Sequence, residues 1–339
     1  MHLGLALPHY DTSYRNEPVS WTAVRDCATA AERSGFSSVW VSDHLFLDWG
    51  KYGGPPTRQA SLECWTTMSA VAAATSRVRV GSLTLCNDLR RPALLAKMAS
   101  SLDLLSGGRL DVGLGAGWYE PEYEAAGIDF DPAGTRIRRL GEAVEIVGRL
   151  LAGEELTFDG EHYQVQEAIC LPRPRQTPRP PVWVGGKGDL LLRTAARVAD
   201  GWNFSWIGSF ETYEERSRAA DVACEKGGRD PATLLRSVGA YVLAGRNEAD
   251  LRARFERLVE RTPQGVFPDS VSGPPGALSW EEFRRDHVTG TVGEVTDRLG
   301  RLSDLGVREV VVTAGALPFQ VADPEDVELL GAEIAPALK

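Results

Sequence analysis

The chain has 339 residues, of which 43% are hydrophobic and 25% charged, with 37 basic against 47 acidic side chains and a formal charge of −10. This composition supports a sizeable buried core and excludes a disordered, collagen-like or small stapled chain. The acidic balance, with no local basic patch, argues against nucleic acid as a partner, because binding it requires a basic face that displaces counterions.

The first apolar run, residues 3–7, reads as a strand; it lacks the basic flank of a signal peptide. Residues 21–34 have helical spacing, open after the cap residue Ser20 and close at Gly35, a usual left-handed terminator. The alternation continues with a strand at 38–41, a helix at 62–75, a strand at 78–85, a helix at 93–105, a strand at 110–114 and a helix at 136–151. It resumes with strand 182–184, helix 190–199, strand 201–204, helix 213–226, strand 238–243, helices 249–259 and 292–305, strand 309–313 and a last helix from about Pro324.

Eight strands alternating with helices imply a parallel sheet covered by helices, and eight βα units in this length fit a single α/β domain over 1–339, a TIM (β/α)8 barrel, better than a doubly wound sheet. Two segments interrupt the rhythm. Residues 155–167 read as an inserted hairpin turning at Asp159 and Gly160, and residues 262–290 as a long loop whose Gly and Pro content holds no regular element.

Several motifs fail on inspection. The run Gly113-Leu114-Gly115-Ala116-Gly117-Trp118 has tryptophan where a dinucleotide fingerprint needs its last glycine, and Gly186-Lys187-Gly188 lacks the Ser or Thr of a P-loop. His2, His9, His44, His162 and His287 show no metal-ligand spacing, so no metal site is expected. The five cysteines contain no CxxC pair, which disfavours a disulfide framework, and no run reaches the roughly 18 apolar residues of a membrane span. A cytoplasmic location without membrane partners is the expectation.

A barrel places its chemistry just after its strands. There the sequence offers His9, Asp43 and His44, Thr84 to Asp88, Gly115 to Glu122, Gly185 to Gly188, and Asn203 to Trp206. Glycines allow close backbone approach, a helix start favours an anion and aromatics wall a ring, so a flat ligand with a phosphate tail suits the set. Each residue also has a plain structural reading: the glycines as tight turns, His9 as a loop residue, Asn203 and Trp206 as capping and packing groups.

At these positions the chain resembles the luciferase-like monooxygenase superfamily, and within it the branch using coenzyme F420. The likeness rests on Val39-Trp40-Val41-Ser42-Asp43-His44, Arg77-Val78-Arg79-Val80-Gly81-Ser82-Leu83-Thr84-Leu85, the stretch from Leu102 through Gly108-Arg109-Leu110 to Trp118, Val182-Trp183-Val184-Gly185-Gly186, and Ala199-Asp200-Gly201-Trp202-Asn203. The resemblance implies that Leu83 and Thr84, joined by a cis peptide, support the cofactor ring. It implies that Gly115, Ala116 and Gly117 pass under the tail, that Gly185, Gly186 and Lys187 hold the phosphate, and that Asn203 belongs to the same cofactor site. His44 with Asp43 would carry the proton step, with Glu120 and Glu122 as further candidates, while His9, Trp118 and Trp206 would face substrate. Homodimers are common in the family. Trp118 stands where the sugar-phosphate dehydrogenases of the branch have an acid, which argues against sugar-phosphate oxidation.

Three functions follow: hydride transfer between F420 and a small organic substrate, a reduced-FMN monooxygenase, or a non-catalytic cofactor-binding barrel.

Overall fold

The computed structural model describes residues 1–48, 50, 56–263 and 278–338. In chain order the first half comprises β1 (His2–Ala6), α1 (Trp21–Ser34), β2 (Ser38–Val41), α2 (Cys64–Ala74), β3 (Arg79–Ser82), β4 (Leu85–Cys86), α3 (Pro92–Ser106), β5 (Leu110–Gly115), α4 (Glu120–Ala126) and α5 (Ala133–Leu151). The second comprises β6 (Glu155–Asp159), β7 (Gln164–Ile169), β8 (Val182–Gly185), α6 (Asp189–Val198), β9 (Gly201–Phe204), α7 (Phe210–Lys226), β10 (Leu235–Gly245), α8 (Glu248–Glu260), α9 (Trp280–Asp286), β11 (Val288–Thr291), α10 (Val292–Asp304), β12 (Glu309–Thr313) and α11 (Pro324–Leu329).

Strands β1, β2, β3, β5, β8, β9, β10 and β12 pair in parallel in that order, and β12 returns to β1, so the sheet closes into the expected barrel. The termini of α1 follow from its sequence: the Ser20 hydroxyl accepts from the Ala23 N–H, and Gly35 sits at φ 110. Strand alternation separates two cores. Val39 and Val41 join the large layer beneath the helices, while Trp40 points to the barrel axis with Ala6, Leu83, Trp183 and Val311. Two indoles therefore fill the axis. A Cβ on Gly81 would lie 2.4 Å from the Trp40 ring and one on Gly201 2.1 Å from the Trp183 ring, so these two strand positions have room only for glycine.

Strand 78–85 is broken rather than continuous. Gly81 pairs with Asp111 and Leu85 with Leu114, so one strand advances four residues while its neighbour advances three, and a bulge lies between. The Ser82 hydroxyl bridges the gap by accepting from the Gly113 N–H and donating to the Gly113 carbonyl, both at 2.9 Å.

Two expectations change. The hairpin is β6 paired with β7, reaching Ile169, and its turn runs over 160–163 with the Gly160 N–H on the Tyr163 carbonyl. The segment 262–290 is not irregular throughout. Ser279 caps α9 by accepting from the Glu282 N–H, and β11 pairs in parallel with the far half of β10. Gly and Pro crowd the part before these elements, and residues 264–277 of that expected loop lie outside the described residues. Among the described residues no helix is long and apolar enough to cross a membrane.

Candidate active site

The C-terminal mouth of the barrel holds a cavity of about 600 Å3 lined by residues from the ends of the first six barrel strands, β10 and the segment after β12. Asp43, His44, Leu83, Thr84, Gly115, Ala116, Gly117, Trp118, Gly185, Gly186, Lys187, Asn203 and Trp206 all reach its wall. The Leu83–Thr84 peptide is cis, at the bulge.

His9 does not reach the wall. It is fully buried, with Nδ1 2.8 Å from the Leu7 carbonyl and Nε2 3.3 Å from the Ser42 N–H, a neutral ring that staples the ends of β1 and β2. Burial lowers its pKa to about 4, which keeps it neutral. The residue following it takes the exposed role: Tyr10 lines the cavity and shares a hydrogen bond between its hydroxyl and that of Ser42.

His44 and Asp43 have separate partners. Asp43 accepts two hydrogen bonds from Arg90, at 2.6 and 3.1 Å, and one at 2.9 Å from the Cys86 N–H. Burial pushes its carboxyl upward, and these contacts pull it back. Asp43 therefore points away from His44 and ties the following segment, as consecutive residues on an extended chain face opposite sides. His44 Nδ1 instead lies 3.0 Å from Glu122 Oε2, while Glu122 Oε1 accepts from the N–H groups of Leu45 and Phe46 at 2.5 and 3.0 Å. Burial raises the Glu122 carboxyl, but the His44 contact and the two amides outweigh it and hold the group below its ordinary value. With Nδ1 engaged, Nε2 is the nitrogen left for the cavity, flanked by the edge of Trp118 at 5.3 Å.

The glycines are explained mainly by the protein's own packing. A Cβ on Gly115 would come 2.4 Å from Thr84 Oγ1, one on Gly185 2.7 Å from Thr84 Cγ2, and one on Gly117 1.8 Å from the Tyr123 hydroxyl. Gly115 and Gly185 make room for the bulge that carries Thr84, and Gly117 for Tyr123. The Gly186 N–H donates to the Asn203 carbonyl and its own carbonyl accepts from the Trp202 indole, so its backbone is not available to an anion. Lys187 folds back, with Nζ 3.0 Å from the Trp206 carbonyl and over the Phe204 ring at 4.6 Å. The start of α6 follows, where the cap residue Gly188 makes no side-chain cap and Asp189 in the first turn pairs with Arg216.

Asn203 is 2% exposed and lines the cavity; its Nδ2 donates to Ser237 at 2.7 Å, whereas the buried Oδ1 has no partner among the described residues. A buried acceptor left open costs free energy on the order of 1–3 kcal/mol unless a ligand supplies a donor. Part of the wall is aromatic, with Trp206 5.4 Å from Phe319 and 5.3 Å from Tyr241. An apolar slot with one buried acceptor, a bulged floor and a tied histidine can hold a flat heterocycle bearing an N–H and exchange a proton beside it.

The family profile described as luciferase-like monooxygenase matches residues 1–328. An F420-dependent glucose-6-phosphate dehydrogenase of Microbacterium testaceum is 30% identical, with 84% of this chain and 85% of that one covered. An FMNH(2)-dependent dimethylsulfone monooxygenase of Pseudomonas putida is 26% identical, with 93% and 87% covered. Among solved structures, an F420-dependent secondary alcohol dehydrogenase in complex with an F420-acetone adduct superposes with a TM-score of 0.75 at 19% identity, covering 100% of this chain and 99% of that one.

Proposed function

Because the chain belongs to the luciferase-like monooxygenase family, we propose that it is an oxidoreductase transferring a hydride between coenzyme F420 and a small organic substrate. The observation that carries the reading is a cavity-lining Asn203, whose buried Oδ1 has no partner among the described residues, in the same cavity as a histidine tied at Nδ1. Leu83 and Thr84 would support the ring and Asn203 would accept from it. A bound deazaflavin supplies a carbon that gives or receives hydride and barely reacts with oxygen.

The chain's own groups perform the remaining work. Glu122 holds the Nδ1–H of His44, so Nε2 presents a lone pair and can accept a hydroxyl proton as an alcohol is oxidised. The same carboxylate stabilises the ring once it is charged, which lets His44 return the proton in the reverse direction. Trp118, Trp206, Tyr241 and Phe319 limit water and fix the substrate's orientation.

Matched titrations of the purified protein with F420 and with FMN test the proposal, together with oxygen consumption. Submillimolar F420 binding, weaker FMN binding and no oxygen uptake are expected. Tight FMN binding with flavin-dependent oxygen uptake would instead establish a reduced-flavin monooxygenase, the reading favoured by the Pseudomonas putida relative. Binding of neither cofactor would leave a barrel that serves another ligand.

A further inference from the structure

Tyr10 and Ser42 both line the main cavity, and their hydroxyls are hydrogen-bonded to each other. The Ser42 hydroxyl is also 3.3 Å from His9 Nε2, and His9 Nδ1 is 2.8 Å from the Leu7 carbonyl. These groups form one relay from the cavity wall into the protein.

The direction of the relay follows from its donors and acceptors. His9 is fully buried and neutral, so its ring carries a single proton. Two carbonyls compete for it, that of Leu7 at 2.8 Å from Nδ1 and that of Ser42 at 3.0 Å from Nε2. A proton on Nε2 would set a bare nitrogen against the Leu7 oxygen and deprive the Ser42 N–H, 3.3 Å from Nε2, of that acceptor. The proton is therefore on Nδ1, and Nε2 accepts. The Ser42 hydroxyl then donates to the imidazole nitrogen, the stronger base beside it. Its oxygen is left to accept from Tyr10, whose phenol is the better proton donor of the two hydroxyls.

With its proton committed to Ser42, the Tyr10 hydroxyl is an acceptor toward any ligand. The same holds for His44, whose Nδ1 proton is held by Glu122 so that Nε2 carries a lone pair. The two rings are neighbours, with centroids 6.4 Å apart. A lone hydroxyl has one proton and satisfies one of these acceptors; a carbonyl satisfies neither.

We propose that Tyr10 is a specificity-determining residue, selecting a ligand that carries a second O–H or N–H donor beside the hydroxyl that meets His44, as a vicinal diol does. Reading that ligand as the hydride donor rests on the oxidoreductase proposal; the pair of acceptors does not. In that reading the O–H proton passes to His44 Nε2, the C–H electron pair passes as hydride to the oxidised coenzyme and a carbonyl forms, while the second donor stays on Tyr10 and fixes the reacting carbon. His9 and Ser42 act through Tyr10, as positioning residues.

Two measurements on the purified protein test the relay and the acceptor pair. Nitrogen shifts of the His9 ring by NMR should show the proton on Nδ1 and a bare Nε2; a proton on Nε2 would reverse the relay and overturn the proposal. The His44 ring signal, assigned through its loss in His44→Asn, is then followed during titration with propylene glycol, isopropanol and acetone, which offer two donors, one and none. The glycol should half-saturate the shift at a concentration about tenfold below isopropanol, the worth of one hydrogen bond. Tyr10→Phe, which keeps the ring and its packing, should abolish that preference. Ser42→Ala frees the Tyr10 proton to turn toward the cavity and should raise the affinity for acetone. A His44 signal indifferent to the glycol, equal affinity for glycol and isopropanol, a preference unchanged in Tyr10→Phe, or acetone binding unchanged in Ser42→Ala would each overturn the assignment. F420 titration of the same protein separates the two claims. No F420 binding beside an intact glycol preference would sink the oxidoreductase reading and keep the acceptor pair; F420 binding without a glycol preference would do the reverse.

Discussion

Glu122 Oε2 lies 3.0 Å from His44 Nδ1, and its second oxygen is fixed by the amides of Leu45 and Phe46, so one carboxylate sets both the tautomer of the histidine and the course of the loop that carries it. In Glu122→Gln the amide nitrogen would donate to Nδ1 and force the ring proton onto Nε2, while the amide oxygen still serves Leu45 and Phe46. Turnover should fall about 10² to 10⁴-fold, comparable to His44→Asn, with F420 affinity retained in both. Steady-state rates beside cofactor titrations check this; a Glu122→Gln enzyme with normal turnover would remove the proton role from His44.

Asn203→Ala removes the open acceptor. Cofactor affinity should drop about tenfold, equivalent to roughly 1.4 kcal/mol, while the melting temperature holds or rises because a buried unsatisfied oxygen is gone. Fluorescence titration and thermal melts separate these two effects.

Asp43 contributes to stability rather than to the proton step. Asp43→Ala leaves the largely buried Arg90 with Glu63 alone and the Cys86 N–H without its acceptor, and should destabilise the fold by about 1–3 kcal/mol, without a selective loss of turnover in the fraction that remains folded. Urea unfolding measures the first and specific activity per folded molecule the second.

Stability should fall with acid. Burial lowers the pKa values of His9 and His287 to about 4 from 6.5, so between those values the unfolded chain binds protons that the folded chain does not. The contribution is intact above pH 6.5 and lost on the way to 4, by on the order of 3 kcal/mol per histidine. Denaturant melts across that window check the slope, and His287→Phe should reduce it by about half.

Glu309 works in the opposite sense at the other end of the barrel. Burial and the nearby Asp111 raise its pKa to about 7, against the pull of hydrogen bonds from Ser38 and Trp40 and of Arg79. The folded state then holds a proton that the unfolded state releases between pH 4.5 and 7, and stability declines as pH rises through that range. Glu309→Gln should gain up to about 3 kcal/mol at pH 8 and nothing at pH 4, as read from paired unfolding curves.

The sequence carries the barrel plainly because its signals are local: Ser20 and Gly35 bracket one helix, and the Val-Trp-Val of 39–41 reads as a strand in any frame. The strand ends likewise gather at one mouth because parallel strands all point the same way. What stays hidden depends on direction and distance. His9 and Tyr10 are adjacent, and only the pleat decides that the tyrosine meets the cavity. Asp43 looks like a partner for His44 by adjacency, yet the residue that meets the ring lies 78 positions further on: Glu122, which the sequence offers only as another proton carrier and not as the partner of the histidine. Helix α9 and strand β11 are equally hidden, since a Gly- and Pro-rich stretch precedes them.

Trp40 and Trp183 give the site a kinetic character as well as a floor. With both indoles filling the axis, whatever enters the mouth leaves by the same opening, and the deeper occupant departs only after the shallower one. A cofactor ring on the bulge at Leu83 and Thr84, as proposed, would be the deeper of the two, so exchange of the tightly held molecule should be slowed by saturating its co-occupant, and dead-end inhibitors should trap it. On that proposal the order of release would be set by how two tryptophans close one end of a tube.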